Sequence, residues 1–502
     1  MKLSYSLIAI ASANLALPGY GQAAAGSLLI ENVTVVSPEQ AQPRGNQYVL
    51  VRDGRIAAVS DQPMALPAGA RRLDGTGKFL TPGIMDGHVH VSQAIGLPFG
   101  SSDPAIAALE KQFFMQQPRS YLYFGVTQVV DLINEPARVA EFASQPRHPD
   151  TFRCAVAPVV DGYPLVFMDP ATRHAQFNDY IYEPANAREH PLPPGANPAE
   201  HTPEAVVERI AKTDAICVKI TLEDGFGDRS DWPLMSMETL RRVRAATRKH
   251  GLLLLVHANA LDVQRKAVDA QVDIIVHGIW NWNELQAQPG IPAAVATHLR
   301  NVHDRKIGYQ ATLRVIPGVT ELLDPRLLDD PVLAKVVPPA MLQWYHTEPA
   351  QWFRTEIFGA QPDAARILGG MRAANEHWAT SEHGMRALRH LYELGQPLLL
   401  GSDTPSAPTY GNQPGYDTFK EMRLMAQAGI PLSAIFAAAT INNARSFRMD
   451  KDYGSVEPGK VANLLLLDAD PLASVEAWSR IDRVILRGEP IERETLAADA
   501  GK

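Results

Sequence analysis

The sequence predicts an α/β fold: a (β/α)8 TIM barrel accompanied by a small composite β-sandwich domain formed from both ends of the mature chain. Three observations carry this prediction. Eight short apolar runs recur through the middle of the chain, most followed by a polar turn and a helical pattern. Segments that alternate like strands lie at both ends. The length of 502 residues is about twice the roughly 250 residues of one barrel, whereas about 150 residues per domain suggests about three domains. That surplus requires an account.

From the N-terminus, Lys2 precedes an apolar stretch from Leu3 to Leu17, ended by Pro18 and Gly19. Ala23-x-Ala25 fits the small-residue cleavage rule, so residues 1–25 are expected to be a secretory signal peptide. The stretch is short for a membrane span. The mature protein is therefore expected to be exported, periplasmic or secreted, without a membrane segment. Residues 26–78 are the expected first part of the β-sandwich. They contain strand patterns at 28–36, 48–52 and 55–59, the last two joined by the hairpin signal Asp53-Gly54.

The barrel is expected over 79–450. Its eight runs are Phe79 to His90, Gly125 to Leu132, Thr151 to Asp161, Ala215 to Thr221, Leu252 to Ala258, Val272 to Ile279, Lys306 to Leu313 and Pro397 to Thr404. Near-continuous apolar strands alternating with helices indicate a parallel sheet buried on both faces. Two insertions, at about 162–214 and 314–396, follow the third and seventh runs and so belong to the barrel's C-terminal face. The second holds Trp344, Tyr345, Trp352, Phe353, Phe358 and Trp378, which are read as a lid or substrate wall. Residues 451–502 return to strand patterns at 462–468 and 481–488 and form the expected second part of the sandwich.

Composition excludes several classes. With 46% apolar and 20% charged residues, the chain is neither disordered, coiled-coil nor collagen-like. A net charge of −8 leaves no basic footprint for nucleic acid. Cys154 and Cys217, the two cysteines, make no CxxC site. Both sit in strand-like runs and read as buried thiols; a disulfide requires those strands to be neighbours.

The chemistry lies at the strand ends. His88 and His90 end the first run and share one face, because side chains repeat every two residues. Lys219 ends the fourth run, pointing inward with Cys217. His257 ends the fifth, His277 the sixth and Asp403 the eighth. Groups at these ends converge on the barrel axis. Imidazoles with a carboxylate suit a divalent cation such as Zn2+. A buried lysine can be neutral and add CO2, giving a carbamate able to bridge two cations; the alternative is a lysine paired with Asp403 or Glu223. His298 and His303, away from strand ends, read as surface helix residues.

Phe79-Leu80-Thr81-Pro82-Gly83-Ile84-Met85-Asp86-Gly87-His88-Val89-His90 resembles the first-strand motif of the metal-dependent amidohydrolase superfamily. Val51-Arg52-Asp53-Gly54-Arg55-Ile56 and Leu73-Asp74-Gly75-Thr76-Gly77 resemble its lead-in. Residues 454–464 resemble its C-terminal signature, with Asn463 in place of the usual Asp. The nearest subgroup is imidazolonepropionase-like or Xaa-Pro dipeptidase-like. The resemblance implies two divalent cations: His88, His90 and Asp403 hold one, His257 and His277 the other, and N6-carboxylated Lys219 and a hydroxide bridge them. The chain departs from the subgroup after Lys219, where Ile220-Thr221-Leu222-Glu223-Asp224-Gly225-Phe226-Gly227 replaces a stretch that is often glycine-rich.

The expected activity is hydrolysis of a C–N bond in a small-molecule substrate such as a dipeptide, an N-acyl amino acid or a cyclic amide. Asp403 is the expected general base and acid, and Tyr309 a candidate donor to the substrate carbonyl. A lactone, ester or phosphotriester hydrolase would use the same centre. A non-catalytic exported binding protein is the remaining class. A homo-oligomer is compatible with the sequence, which leaves the oligomeric state open.

Overall fold

The computed structural model describes residues 26–500, apart from 99, 227–229 and 375–381. The expected signal peptide and Trp378 fall outside the described residues. Among the described residues, no helix is long and apolar enough to cross a membrane.

The first strands are β1 (Leu28–Val35), β2 (Arg44–Arg52), β3 (Arg55–Ser60), β4 (Arg71–Asp74) and β5 (Phe79–Pro82). The Asp53-Gly54 signal is realised as the β2–β3 turn, with φ positive at both residues and Arg52 opposite Arg55. The barrel strands are β6 (Ile84–Val89), β7 (Val126–Asp131), β8 (Asp150–Val156), β9 (Cys217–Thr221), β10 (Leu253–His257), β11 (Ile274–Val276) and β12 (Gly308–Gln310). The C-terminal strands are β13 (Leu464–Leu467), β14 (Ile481–Leu486) and β15 (Glu489–Glu492). The strands of the two ends join in one eight-stranded sheet of order β15-β14-β13-β5-β1-β2-β3, with β4 on β1. Its apolar core includes Ile30, Val49, Leu80, Leu464 and Ile485, drawn from both ends of the chain.

The first apolar run is therefore divided. Phe79–Pro82 pairs with β13 in the end sheet, and Ile84–Val89 opens the barrel. Gly83 makes the crossing, where a Cβ would meet Thr127 Oγ1 at 1.9 Å, so no larger residue fits without displacement. Asn463 fixes the same junction: its carbonyl accepts from Gly83 N, its Nδ2 donates to Asp150 Oδ2, and its Oδ1 accepts from Arg487 N. The barrel strands run β12-β11-β10-β9-β8-β7-β6, all parallel. The eighth run completes the ring through isolated parallel bridges, Gln310 with Leu399 and Val89 with Thr404.

Alternation along these strands separates two apolar regions. Met85, Val130, Cys154, Cys217, Leu255 and Leu399 fill the interior, while Val218, Ile220, Val256 and Ile275 pack under the helices. Cys154 lies directly opposite Cys217 on β8 and β9, with Cα atoms 4.5 Å apart, and the two form a disulfide. This corrects the reading of two buried thiols: neighbouring strands in that register bring the sulfur atoms together inside the barrel.

Both insertions are ordered by polar anchors. Asp161 receives Arg173, His174 and His190 in the first. In the second, buried Arg314 is bound by Glu321 and Asp417, and Tyr345 and Trp352 donate to the carbonyls of Ile95 and Gly96, in the loop after β6. Titration of unfolded, non-reduced protein should therefore find no free thiol, and two after reduction. Replacing both cysteines with alanine should cost about 3 kcal/mol of stability, measured by denaturant unfolding.

Candidate metal centre

All six predicted ligand residues are buried, each at most 6% exposed. His257 continues the inward face of Leu253 and Leu255. His277 would by alternation share the outer face of Ile275, but β11 ends at Val276 and a φ of 82° breaks the alternation at His277. Asp403 and Thr312 also have positive φ, at 58° and 44°. Such conformations are costly for residues other than glycine and cluster where function requires them.

His88 Nε2 and His90 Nε2 each lie 2.8 Å from Asp403 Oδ1. Among the described residues, His88, His90 and Asp403 form a group whose ligand-type atoms lie within 4.8 Å of one another. The other two imidazoles adjoin it: the rings of His88 and His277 are 5.2 Å apart, and those of His257 and His277 are 4.3 Å apart. Lys219 is fully buried, two residues from the end of β9.

Electrostatics follow from this crowding. Burial pushes His88 down to about 3, against the attraction of Asp403. Burial and the neighbouring His257 hold His277 well below the usual histidine range. For Asp403, burial opposes ionisation, but the charge of His88 and the hydrogen bonds from His88 and His90 keep its carboxyl well below the ordinary range. Burial brings Lys219 down to about 7, with Asp403 acting the other way.

The donor set fits divalent cations. Lys219 Nζ and His88 Nδ1 are buried with no hydrogen-bond partner among the described residues, a costly state for protein groups alone. The remaining imidazoles are oriented from behind. His257 Nε2 is 3.0 Å from Glu223 Oε2, and since a carboxylate only accepts, Nδ1 remains as the free lone pair. His277 Nδ1 meets Thr312 Oγ1 at 2.9 Å, and His90 Nδ1 meets the Ile133 carbonyl at 3.2 Å, leaving Nε2 of each ring for the centre. Partners of this kind fix ring orientation and ligand basicity.

Sequence reasoning missed several of these supports. Asp86, fully buried, accepts His88 N and Ser402 N on Oδ1 and Thr418 Oγ1 on Oδ2, tying the first and eighth strand ends together. Its position two residues before His88 was the available signal. The sequence offers Glu223 as a partner for Lys219; in the structure it instead receives His257, Asn259 Nδ2 at 2.7 Å and Gly225 N.

Tyr309 is a correction. Gln310 takes the inward position and donates to the Gly87 carbonyl, so Tyr309 faces the helices, and its hydroxyl accepts from Ile279 N at 2.7 Å. Tyr163, after β8, is the tyrosine that reaches the site. Its ring is 5.0 Å from that of His257, and its hydroxyl is raised by burial and by the fields of Asp403 and Glu223. His298 is also buried, with Nε2 at 3.0 Å from Gln264, rather than lying on the surface.

Residues 350–491 match the amidohydrolase family. Over 113 residues the chain is 43% identical to N-acetylglucosamine-6-phosphate deacetylase of Lysinibacillus sphaericus, covering 22% of this chain and 28% of that protein. The chain thus spans little more than a quarter of that relative. The fold matches a molinate hydrolase with a TM-score of 0.66 at 19% identity, covering 94% of this chain and 96% of the other. It matches a Xaa-Pro dipeptidase with a TM-score of 0.62 at 19% identity, covering 93% of this chain and all of the other. These solved structures share the barrel fold, and residues 350–491 carry the likeness to the amidohydrolase family. Replacing Glu223 with leucine should weaken the affinity of the His257 side for a cation by about 10- to 100-fold, read by chelator competition. Unchanged affinity would exclude an orienting role.

Proposed function

We propose that this protein is a metal-dependent hydrolase that cleaves a C–N bond in a small amide. The observation that carries this reading is the buried group of His88, His90 and Asp403, with the rings of His277 and His257 beside it, while buried Lys219 Nζ and His88 Nδ1 lack partners among the described residues. His88, His90 and Asp403 would hold one divalent cation, and His257 and His277 a second. Lys219 would serve both after its neutral amine adds to carbon dioxide, forming an N–C bond and releasing one proton to solvent. Bound there, two zinc ions would acidify a water and polarise a carbonyl.

The residues of the chain supply the rest. Asp403 accepts the proton of the attacking water as its oxygen joins the carbonyl carbon. It returns that proton to the leaving nitrogen as the C–N bond breaks. Tyr163, beside His257, takes the carbonyl-donor role that sequence reasoning gave to Tyr309. The same reading treats the protein as exported, which the Cys154–Cys217 disulfide supports, since such bonds persist in oxidising compartments.

Elemental analysis of purified protein should find about two divalent ions per chain. One ion, unaffected by added bicarbonate, would contradict the carbamate. Replacing Asp403 with asparagine should lower kcat on a cleaved amide by about 10³-fold with the fold intact; near-wild-type turnover would refute its proton role. Replacing Tyr163 with phenylalanine should lower kcat by about 10²-fold without loss of metal. A screen of Xaa-Pro dipeptides, N-acyl amino acids, lactones and aryl esters tests the bond class, and cleavage confined to lactones or esters would overturn the amide assignment.

A further inference from the structure

Four aromatic rings meet on the His257 side of the centre. Tyr163 stacks on Trp232 at 5.9 Å and 7°, and Phe167 stacks on Phe226 at 6.4 Å and 9°. Every contact between the two stacks is edge-to-face: Tyr163 with Phe167 and Phe226, and Trp232 with Phe167 and Phe226. Such arrangements are favourable for aromatic pairs.

The cluster is held to the catalytic strand. Thr221, two residues beyond Lys219 on β9, donates its hydroxyl to the Tyr163 carbonyl at 2.6 Å. Trp232 N donates to the Asp224 carbonyl, two residues before Phe226, at 2.9 Å. The first insertion is joined to the segment after Trp232, because Ser236 N donates to Glu183 and Asn186 Nδ2 to the Leu234 carbonyl. The rings thus belong to two segments, one following β8 and one following β9, joined by these hydrogen bonds.

Exposure grades along the cluster. Trp232 is 7% exposed, Tyr163 and Phe226 are half-buried, and Phe167 is 66% exposed, the highest value among the exposed large hydrophobic residues. A structural mini-core would turn its rings inward. Here the contacting rings run from His257, whose ring lies 5.0 Å from that of Tyr163, out to Phe167 at the surface. Apolar and aromatic side chains beside a few convergent polar groups are the usual lining of a ligand site.

We propose that these rings form the specificity wall of the site and that the protein prefers amides carrying an aromatic side chain next to the scissile bond. This inference rests on the amide-hydrolase reading above. The side chain of the substrate would lie on Phe167 and Phe226 while its carbonyl lies beside His257 and Tyr163. The glutamate at the base of the wall, Glu223, is occupied by His257 and Asn259, so the wall presents mainly apolar faces.

The test uses metal-loaded, full-length mature protein and two matched pairs: N-acetylphenylalanine against N-acetylalanine, and Phe-Pro against Ala-Pro. Calorimetry measures the affinity of N-acetylphenylalanine amide against N-acetylalanine amide. The aromatic member of at least one substrate pair, and the aromatic amide, should be favoured roughly 30-fold, which corresponds to about 2 kcal/mol. Phe167→Ala and Phe226→Ala should each reduce that ratio to roughly threefold or less; Phe167 is exposed, so its removal does not endanger folding. Equal treatment of aromatic and alanine members by the wild type, in cleavage and in binding, would overturn the wall, as would a ratio unchanged in both variants. Absence of any amide cleavage would refute the hydrolase reading, while the binding ratio would still decide the wall.

Discussion

The constraint on which the structure depends is the burial of ionisable groups at one end of an apolar barrel. His88, His90, Lys219, His257, His277 and Asp403 are all withdrawn from water; the ligand-type atoms of His88, His90 and Asp403 lie within 4.8 Å of one another, and the rings of His277 and His257 adjoin them. Unpaired polar groups in such surroundings cost several kcal/mol each. Protein contacts satisfy them only in part: Asp403 is shared by His88 and His90, while Lys219 Nζ has no partner among the described residues. A site of this kind is stable when a cation accepts the lone pairs that its donors present. The neighbouring residues hold the donors in place for that.

That holding is distributed. Asp86 links the HxH segment to the Asp403 segment, adding to the contacts of His88 and His90 with Asp403 and to the backbone bridge of Val89 with Thr404. Gly401 allows the close approach, since a Cβ there would lie 2.7 Å from His88 Cβ. Glu223 and Thr312 orient two imidazoles from behind. Below the centre, the Cys154–Cys217 bond ties the strand that carries Lys219 to its neighbour. Each support lies on or beside a strand end, where a rigid scaffold places side chains most accurately.

Much of this was legible in the sequence, because burial on both faces writes barrel strands as apolar runs and places chemistry at their ends. His88, His90 and Asp403 form one buried group, with the rings of His277 and His257 beside it. What remained hidden depends on local backbone geometry. The run at Phe79 to His90 serves two sheets because the chain crosses between them at Gly83. Tyr309 was misassigned because β12 is only three residues long, too short for its alternation to be read. His277 reaches its place through a positive φ that no periodicity encodes. The disulfide depends on the register of β8 against β9. Tyr163 and Glu223 sit in loops, where sequence pattern says least about direction, and there this chain also departs from the glycine-rich stretch of the subgroup it resembles.

The central claim is that the buried donors form one binuclear centre bridged by a modified Lys219. Anomalous diffraction from crystals grown with zinc and bicarbonate tests it most directly. The account predicts two peaks per chain, one against His88, His90 and Asp403 and one against His257 and His277, with density for a carboxylated Lys219 between them. A single peak at His88, His90 and Asp403, with the Lys219 amine unmodified, would contradict it.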